Sequence, residues 1–285
     1  MALGSVIELT KHLVQMNTIN PPGDEEACAR LLGNILEKAK FSVSLHPFGE
    51  KRASLVARIG GNSTKKPLCI TGHIDTVPLG ATAWTKDPFS GETDAGRLFG
   101  RGTSDMKCGV AAFVTAAIEL SDRLSGTPGL ELVITAGEEV GCQGAFDLVR
   151  QQGALGRAGA VLVGEPTSNF PFVGHKGAYW LTAKTSGVTA HGSMPNLGEN
   201  AVYRAAKAIT ALENFKFSNP PHEMMGQATL NVGMVHGGLN INSVPDEAAI
   251  SIDIRSVPTS KHKDVRDQLQ KCMGHDVELE TFIDL

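Results

Sequence analysis

The sequence predicts two successive domains: an α/β layered domain with a largely parallel sheet over residues 1–176, and a ferredoxin-like β-α-β-β-α-β unit over 177–285. Up to about residue 175, β-branched runs alternate with helically spaced apolar residues, the rhythm of a layered α/β domain. Three of those runs, PLCITG, LELVIT and AVLVGE, are almost continuously apolar, as strands covered on both faces should be. From Gly177 the order becomes strand, helix, strand, strand, helix, strand, which is a complete split-βαβ unit.

Taken in order, the first helix is expected at 3–17, where Val6, Leu9, Leu13 and Val14 follow helical spacing, and further helices at 24–39, 107–122 and 142–152. Strands are expected at 41–47, 53–60, 67–72, 130–135 and 159–164, with Gly60, Gly61, Gly72, Gly137 and Gly164 at their ends fitting tight turns. In the second domain AYWLTAKTSG, QATLNVGMVHGG, EAAISIDIRS and VELETFI read as strands, and ENAVYRAAKAITALENF and KHKDVRDQLQKCM as helices. PHEMMG at 221–226 reads as a loop, and there is no internal repeat.

Composition excludes several function classes. The chain has 285 residues, 26 basic and 30 acidic side chains and a net charge of −4, so it offers no basic face to neutralise phosphates and argues against a nucleic-acid partner. No apolar run approaches the roughly 18–20 residues that span a bilayer, which excludes a membrane-spanning protein. Five widely spaced cysteines, Cys28, Cys69, Cys108, Cys142 and Cys272, form no CxxC pair, so buried free thiols are expected rather than disulfides or a thiolate zinc knuckle. The N-terminus lacks a basic stretch before an apolar core, and a cytoplasmic location is the expectation.

Three apolar strands each end in metal-capable residues: LCITGHIDTVP in His73 and Asp75, LELVITAGEEVG in Glu138 and Glu139, AVLVGEPT in Glu165. Sites in open α/β sheets form beyond the carboxyl ends of strands, and FGRGTSDMKCG adds Asp105 just before a helix. Each has an ordinary reading too. The HxD can be a hydrogen-bonded loop pair, the glutamates a solvated helix start, Asp105 an N-cap and Glu165 a turn residue before Pro166. Their shared location favours one crevice. Carboxylate and imidazole donors suit Zn²⁺ or a similar divalent ion, and a carboxylate can bridge two ions about 3.5–4 Å apart. Asp105 is the best bridge. His73 and Asp75 share a side of an extended segment, so Asp75 can orient the imidazole. One adjacent glutamate can bind metal while the other serves as general base, a division of labour that describes hydrolysis.

GHIDTVP, GRGTSDMKCG, TAGEEVGCQGA, GEPTS and TAHGSMP, in this order, resemble the acetylornithine deacetylase and succinyl-diaminopimelate desuccinylase family of M20-type metallopeptidase-like amidohydrolases. The resemblance implies a three-layer α/β/α zinc-hydrolase catalytic domain carrying an inserted lid and dimerisation domain. It also implies His73 and Glu165 on one zinc, Asp105 bridging, Glu139 on the second, Glu138 as general base and Asp75 orienting the histidine. Co²⁺ can substitute for zinc. His191 in TAHGSMP matches a lid histidine that reaches the partner subunit's active site in a homodimer, where it would donate to the forming oxyanion. Asn242 in NINSVP and Arg255 in IDIR match substrate-contacting positions; Arg255 can equally serve a surface ion pair. A cis peptide is implied between Asp105 and Met106.

The implied substrate is a small N-acyl amino acid of arginine or lysine biosynthesis, cleaved to a carboxylate and a free amine. Dipeptidase, carboxypeptidase and aminoacylase activities are the alternatives. Family members return from the lid to the catalytic domain and there supply a further histidine, whereas this chain ends at VELETFIDL; His262 and His275 lie on or beside the second lid helix. The expectation is a C-terminally truncated catalytic domain with an unpaired sheet edge, a second metal site lacking its nitrogen ligand and impaired catalysis.

Overall fold

The computed structural model describes residues 5–61 and 64–285; the start of the helix expected at 3–17 falls outside the described residues. The chain divides into two compact units, one up to Pro171 and one over Phe172–Leu285, a few residues before the change of rhythm at Gly177.

In the first unit, Ser5 is extended and its hydroxyl accepts the Glu8 N–H at 3.3 Å, starting α1 (Val6–Gln15). α2 (Glu26–Lys38) buries Cys28, Ala29, Leu32 and Leu36 on one face. There follow β1 (Ser42–Gly49), β2 (Arg52–Ile59), β3 (Leu68–His73) and a small hairpin of β4 (Thr93–Asp94) and β5 (Arg97–Leu98). A kinked turn at Thr103–Lys107 leads into α3 (Cys108–Leu120), then β6 (Leu130–Thr135), α4 (Gln143–Arg150) and β7 (Ala160–Val163).

The sheet order is β1-β2-β6-β3-β7. β3 runs parallel to both β6 and β7, but β1–β2 and β2–β6 are antiparallel, so the expected largely parallel sheet is mixed. The short link between Gly49 and Arg52 accounts for the β1–β2 pairing: a tight turn can join only antiparallel neighbours, whereas parallel ones need a long crossover. Leu13, Leu32, Leu36, Val110 and Val114 of α1–α3 pack on one face with Leu55, Leu132 and Ile134, while Leu148 of α4 meets Val56, Cys69 and Val133 on the other. That gives three layers. β6 is buried throughout, but β7 is not the covered strand its composition predicts: Val161, Leu162 and Val163 are 54–62% exposed because β7 is a sheet edge with one strand neighbour.

The second unit comprises β8 (Gly177–Ser186), α5 (Ala201–Glu213), β9 (Thr229–Gly237), β10 (Glu247–Ser256), α6 (His262–Met273) and β11 (Val277–Asp284). Its antiparallel sheet has the order β11-β8-β10-β9. β8 and β10 alternate strictly, turning Tyr179, Leu181, Ala183, Ile250, Ile252 and Ile254 toward α5 and α6 and their other side chains outward. His262 stacks on Tyr179 and bonds Asp284 and Ser256, so it clamps β10, α6 and β11 together.

Among the described residues no helix is long and apolar enough to cross a membrane. All five cysteines are unpaired; Cys28 and Cys69 are buried, but Cys108 at the start of α3 is exposed, against expectation.

Candidate metal centre

Because β3 pairs in parallel with β6 and β7, their carboxyl ends emerge together: His73 lies opposite Thr135, and Thr71 opposite Val163. The turns that follow carry Glu138 and Glu139 after β6 and Glu165 after β7. Asp105 joins them from the kinked turn, and its peptide bond to Met106 is cis.

These side chains converge on one imidazole. His73 Nε2 lies 3.1 Å from Asp105 Oδ1, 3.5 Å from Glu165 Oε1 and 3.9 Å from Glu138 Oε2. One donor atom each of His73, Asp105 and Glu139 lies within 4.8 Å of the others. His73 is buried, whereas Asp105, Glu138 and Glu165 are 57%, 41% and 37% exposed, so the cluster opens outward to ligand. On the other ring nitrogen, Nδ1 is 3.0 Å from the Asp75 main-chain carbonyl and 3.5 Å from Asp75 Oδ1. A proton held at Nδ1 leaves the Nε2 lone pair available to a metal.

Asp75 does more than face the ring. Fully buried, it accepts the Glu138 N–H at 3.0 Å on Oδ1, and the Glu139 N–H at 3.1 Å and the Asn20 side-chain N–H at 2.9 Å on Oδ2. One carboxylate thus ties the histidine strand to the glutamate turn. Burial opposes its ionisation, but these bonds and the imidazole hold it below the usual carboxylate range.

The electrostatics call for a cation. Burial alone would lower the His73 pKa, yet Asp105, Asp75 and Glu165 together push it up to about 11. Glu139 is pushed up to about 7, first by burial and then by the Asp105 charge. Without a metal, protons on His73 and Glu139 thus serve as counter-charge. One imidazole with several carboxylate oxygens is a donor set for a divalent first-row ion, so the residues present fit such a metal.

Two glycines permit the close packing around this centre. A Cβ on Gly109 would lie 2.2 Å from the Gly164 carbonyl oxygen, and one on Gly72 would lie 2.4 Å from Met106 Cε. α3 therefore approaches the end of β7 closely enough to set Asp105 beside Glu165.

Three supporting residues, Asn20, Lys107 and Arg52, lie outside the strand-end pattern that marks the other site residues. Asn20 was signalled only by its place before two prolines, whose peptide bonds are both cis. Lys107 is buried, with Nζ donating to the Leu13 and Met16 carbonyls at 2.8 Å each, and burial lowers its pKa to about 8. Arg52 pairs with buried Glu25 at 2.7 Å and donates to Gln143 at 2.7 Å, bracing the turn that carries the glutamates.

In the second unit, His191 is exposed and its Nδ1 accepts the Ser193 N–H at 3.2 Å, so the neutral ring carries its proton on Nε2. The Asn242 loop lies alongside: Gly192 N–H donates to the Asn242 carbonyl at 2.8 Å. Arg255 stands near the other end of β10, its Nε 3.0 Å from Asp253 Oδ1.

Residues 173–279 match the peptidase dimerisation domain family, and residues 54–192 match peptidase family M28. The chain is 32% identical over 307 residues to a probable succinyl-diaminopimelate desuccinylase of Staphylococcus epidermidis, covering 98% of this chain and 74% of the relative. It is 32% identical to an acetylornithine deacetylase of Proteus mirabilis, covering 95% of this chain and 72% of the relative. Among solved structures, an M20 family metallo-carboxypeptidase of Sulfolobus solfataricus shares its fold with a TM-score of 0.77 at 19% identity, covering 97% of this chain and 77% of that one. The dipeptidase Dug1p of Saccharomyces cerevisiae does so with a TM-score of 0.75 at 14% identity, covering 98% and 77%.

Proposed function

Because the chain belongs to the acetylornithine deacetylase and succinyl-diaminopimelate desuccinylase family of M20-type metal-dependent amidohydrolases, we propose that it hydrolyses the linear amide of an N-acyl amino acid, releasing a carboxylate and a free amine. The observation that carries this reading is the grouping of His73, Asp105 and Glu139 within 4.8 Å, with Glu138 Oε2 3.9 Å from the same imidazole nitrogen.

His73 and Glu165 would hold one ion and Glu139 a second, with Asp105 bridging; zinc is the proposed metal and cobalt its substitute. Bound there, the metal would polarise the scissile carbonyl and acidify a water. Glu138 takes the proton of the attacking water and returns it to the leaving amine. Asp75 fixes the imidazole and both glutamate amides, so ligand and base keep their relative placement as the proton moves. His191 offers Nε2–H to the oxyanion, and Arg255 offers a guanidinium to the substrate carboxylate, with Asn242 a further substrate contact.

Homodimerisation through the second unit completes the reading. His191 and Asn242 lie before the start of β10 and Arg255 near its end, and Glu247 to Arg255 spans about 27 Å at roughly 3.4 Å per residue. One copy of this unit cannot present all three to one small ligand. Two copies can, each serving the other's site. A cytoplasmic setting in arginine or lysine biosynthesis belongs to the same proposal.

The test is turnover of N-acetylornithine, N-succinyl-diaminopimelate and simple dipeptides side by side, with Zn²⁺ or Co²⁺ added. Hydrolysis of either acylated amino acid, abolished by Glu138→Gln, supports the proposal. Preference for dipeptides transfers the chain to the peptidase branch. A second reading, a metal-binding chain with impaired turnover, is favoured by the donor group, in which His73 is the one imidazole among the described residues. One weakly bound ion and no hydrolysis would establish it.

A further inference from the structure

The face of the second unit's sheet that carries no helix holds an ordered polar chain. Asp253 of β10 stands directly opposite Trp180 of β8, and the indole Nε1–H donates to Asp253 Oδ1 at 2.8 Å. Phe282 of β11 stacks on the indole at 6.3 Å between centroids and 9° between planes, which fixes the ring that makes this bond. Two residues along β10 on the same face, Arg255 places Nε 3.0 and 3.2 Å from the two Asp253 oxygens. Its cross-strand neighbours are the small Ala178 and Thr229, and its side chain is 48% exposed.

This arrangement leaves one edge of the guanidinium for use. Nε is taken by Asp253, while no hydrogen bond among the described residues occupies Nη1 or Nη2. Those two nitrogens form the end-on fork that receives a carboxylate with two parallel bonds. A long arginine side chain without an anchor samples many rotamers, and holding Nε removes most of that freedom before ligand arrives. The indole N–H also matters electrostatically. By donating to Asp253 it disperses negative charge that would otherwise repel an incoming carboxylate from the far edge of the same guanidinium.

We propose that Asp253, held by the Trp180 indole, is a positioning residue that aims Arg255 at the substrate carboxylate, so that discrimination for a carboxylate-bearing substrate depends on Trp180 and Asp253 as well as on Arg255. The proposal rests on the reading of Arg255 as the carboxylate anchor.

The test measures binding of N-acetylornithine and of its carboxamide by calorimetry on the full metal-loaded chain, in a Glu138→Gln background so that hydrolysis does not intervene. Arg255→Ala should abolish the preference for the carboxylate. Trp180→Phe keeps the ring on Phe282 and removes only the donor; it and Asp253→Asn should each cut the preference about 5- to 30-fold, the factor that one or two kcal/mol represents. Carboxamide affinity should stay within twofold. In parallel, the Arg255 Nε–H resonance should be protected from exchange in the parent and lose that protection in both variants, a signature that general loosening of the sheet would not confine to one side chain. An unchanged preference in Trp180→Phe and Asp253→Asn, with Arg255→Ala abolishing it, overturns the positioning role and leaves the anchor standing. An unchanged preference in Arg255→Ala overturns the anchor and the positioning role together. Failure of both ligands to bind overturns the substrate class on which both depend.

Discussion

Asp75→Asn is the most discriminating substitution at the proposed metal centre, because it changes one atom and little volume. Both carboxylate oxygens are occupied: Oδ1 by the Glu138 N–H and the His73 ring, Oδ2 by Asn20 and the Glu139 N–H. Asparagine supplies one acceptor oxygen and one NH₂. At Oδ2 the NH₂ confronts two hydrogen-bond donors at 2.9 and 3.1 Å, whereas at Oδ1 the His73 ring is 3.5 Å away and the Glu138 N–H is the one close donor, so it settles at Oδ1 and confronts that N–H. That change removes a hydrogen bond to a charged acceptor and leaves a backbone donor unpaired, together about 2–4 kcal/mol. Domain stability is typically about 5–15 kcal/mol, so the variant folds but its glutamate turn opens locally.

A two-unit chain has no single unfolding free energy, so the assay must be local. Amide hydrogen exchange at Glu138 and Glu139 should accelerate on the order of 10²-fold in the metal-free variant, as expected for about 2–4 kcal/mol at about 1.4 kcal/mol per decade. Metal affinity should fall about 10- to 100-fold, the usual cost of losing a group that orients a ligand. Asn20→Ala, which removes one neutral donor and leaves both backbone bonds, should have a smaller effect on both readouts. Exchange rates within threefold of the parent and undiminished metal affinity in Asp75→Asn would refute the claim that this carboxylate couples the histidine to the glutamate turn.

Glu138→Gln should lower turnover by about 10²- to 10⁴-fold with metal stoichiometry unchanged, measured by steady-state hydrolysis beside metal analysis; parallel loss of metal would make Glu138 a ligand instead of a base. In the metal-free protein His73 is raised from 6.5 to about 11 and Glu139 from 4.5 to about 7, so their protonated forms stabilise the fold at low pH and that contribution is lost as pH rises through 7 toward 11. Metal binding needs these groups deprotonated, so the difference in melting temperature between metal-loaded and metal-free protein should widen between about pH 6 and 8.5, and a constant gap would contradict the assignment. Gly109→Ala sets a methyl 2.2 Å from the Gly164 oxygen and should cost about 1–3 kcal/mol while weakening metal binding through displacement of Glu165; unchanged stability and affinity would show that α3 and β7 do not register the site.

Much of this centre was legible because its ligands follow strands, and strands announce themselves. PLCITG, LELVIT and AVLVGE fixed three carboxyl ends, and parallel pairing of β3 with β6 and β7 converted that linear pattern into proximity. The supporting contacts follow no such rule. Asn20 meets Asp75 across 55 residues, and Lys107 reaches Leu13 across 94, through side-chain directions that no periodicity encodes. The same limit explains β7. Its apolar composition states that the strand can be covered on both faces, but what covers a strand depends on neighbours elsewhere in the chain or assembly. The antiparallel β1–β2 arm was legible in principle, since the link at 50–51 is too short for a crossover.

The charge balance distinguishes the roles of the two buried polar groups from that of the exposed carboxylates. Asp75 accepts two backbone N–H groups and Asn20 and faces the imidazole, so its charge is committed to geometry while it also helps raise the His73 pKa. Lys107, the buried cation nearest in sequence to Asp105, is committed to the Leu13 and Met16 carbonyls. Asp105, Glu138, Glu139 and Glu165 gather around one imidazole, so the cluster gains from a bound cation. A cation there offsets the charge that raises the His73 and Glu139 pKa values. It also gives Glu139 a reason to release its proton only when metal arrives: its carboxylate is stable as an anion at neutral pH once a cation replaces the proton that burial and Asp105 otherwise favour.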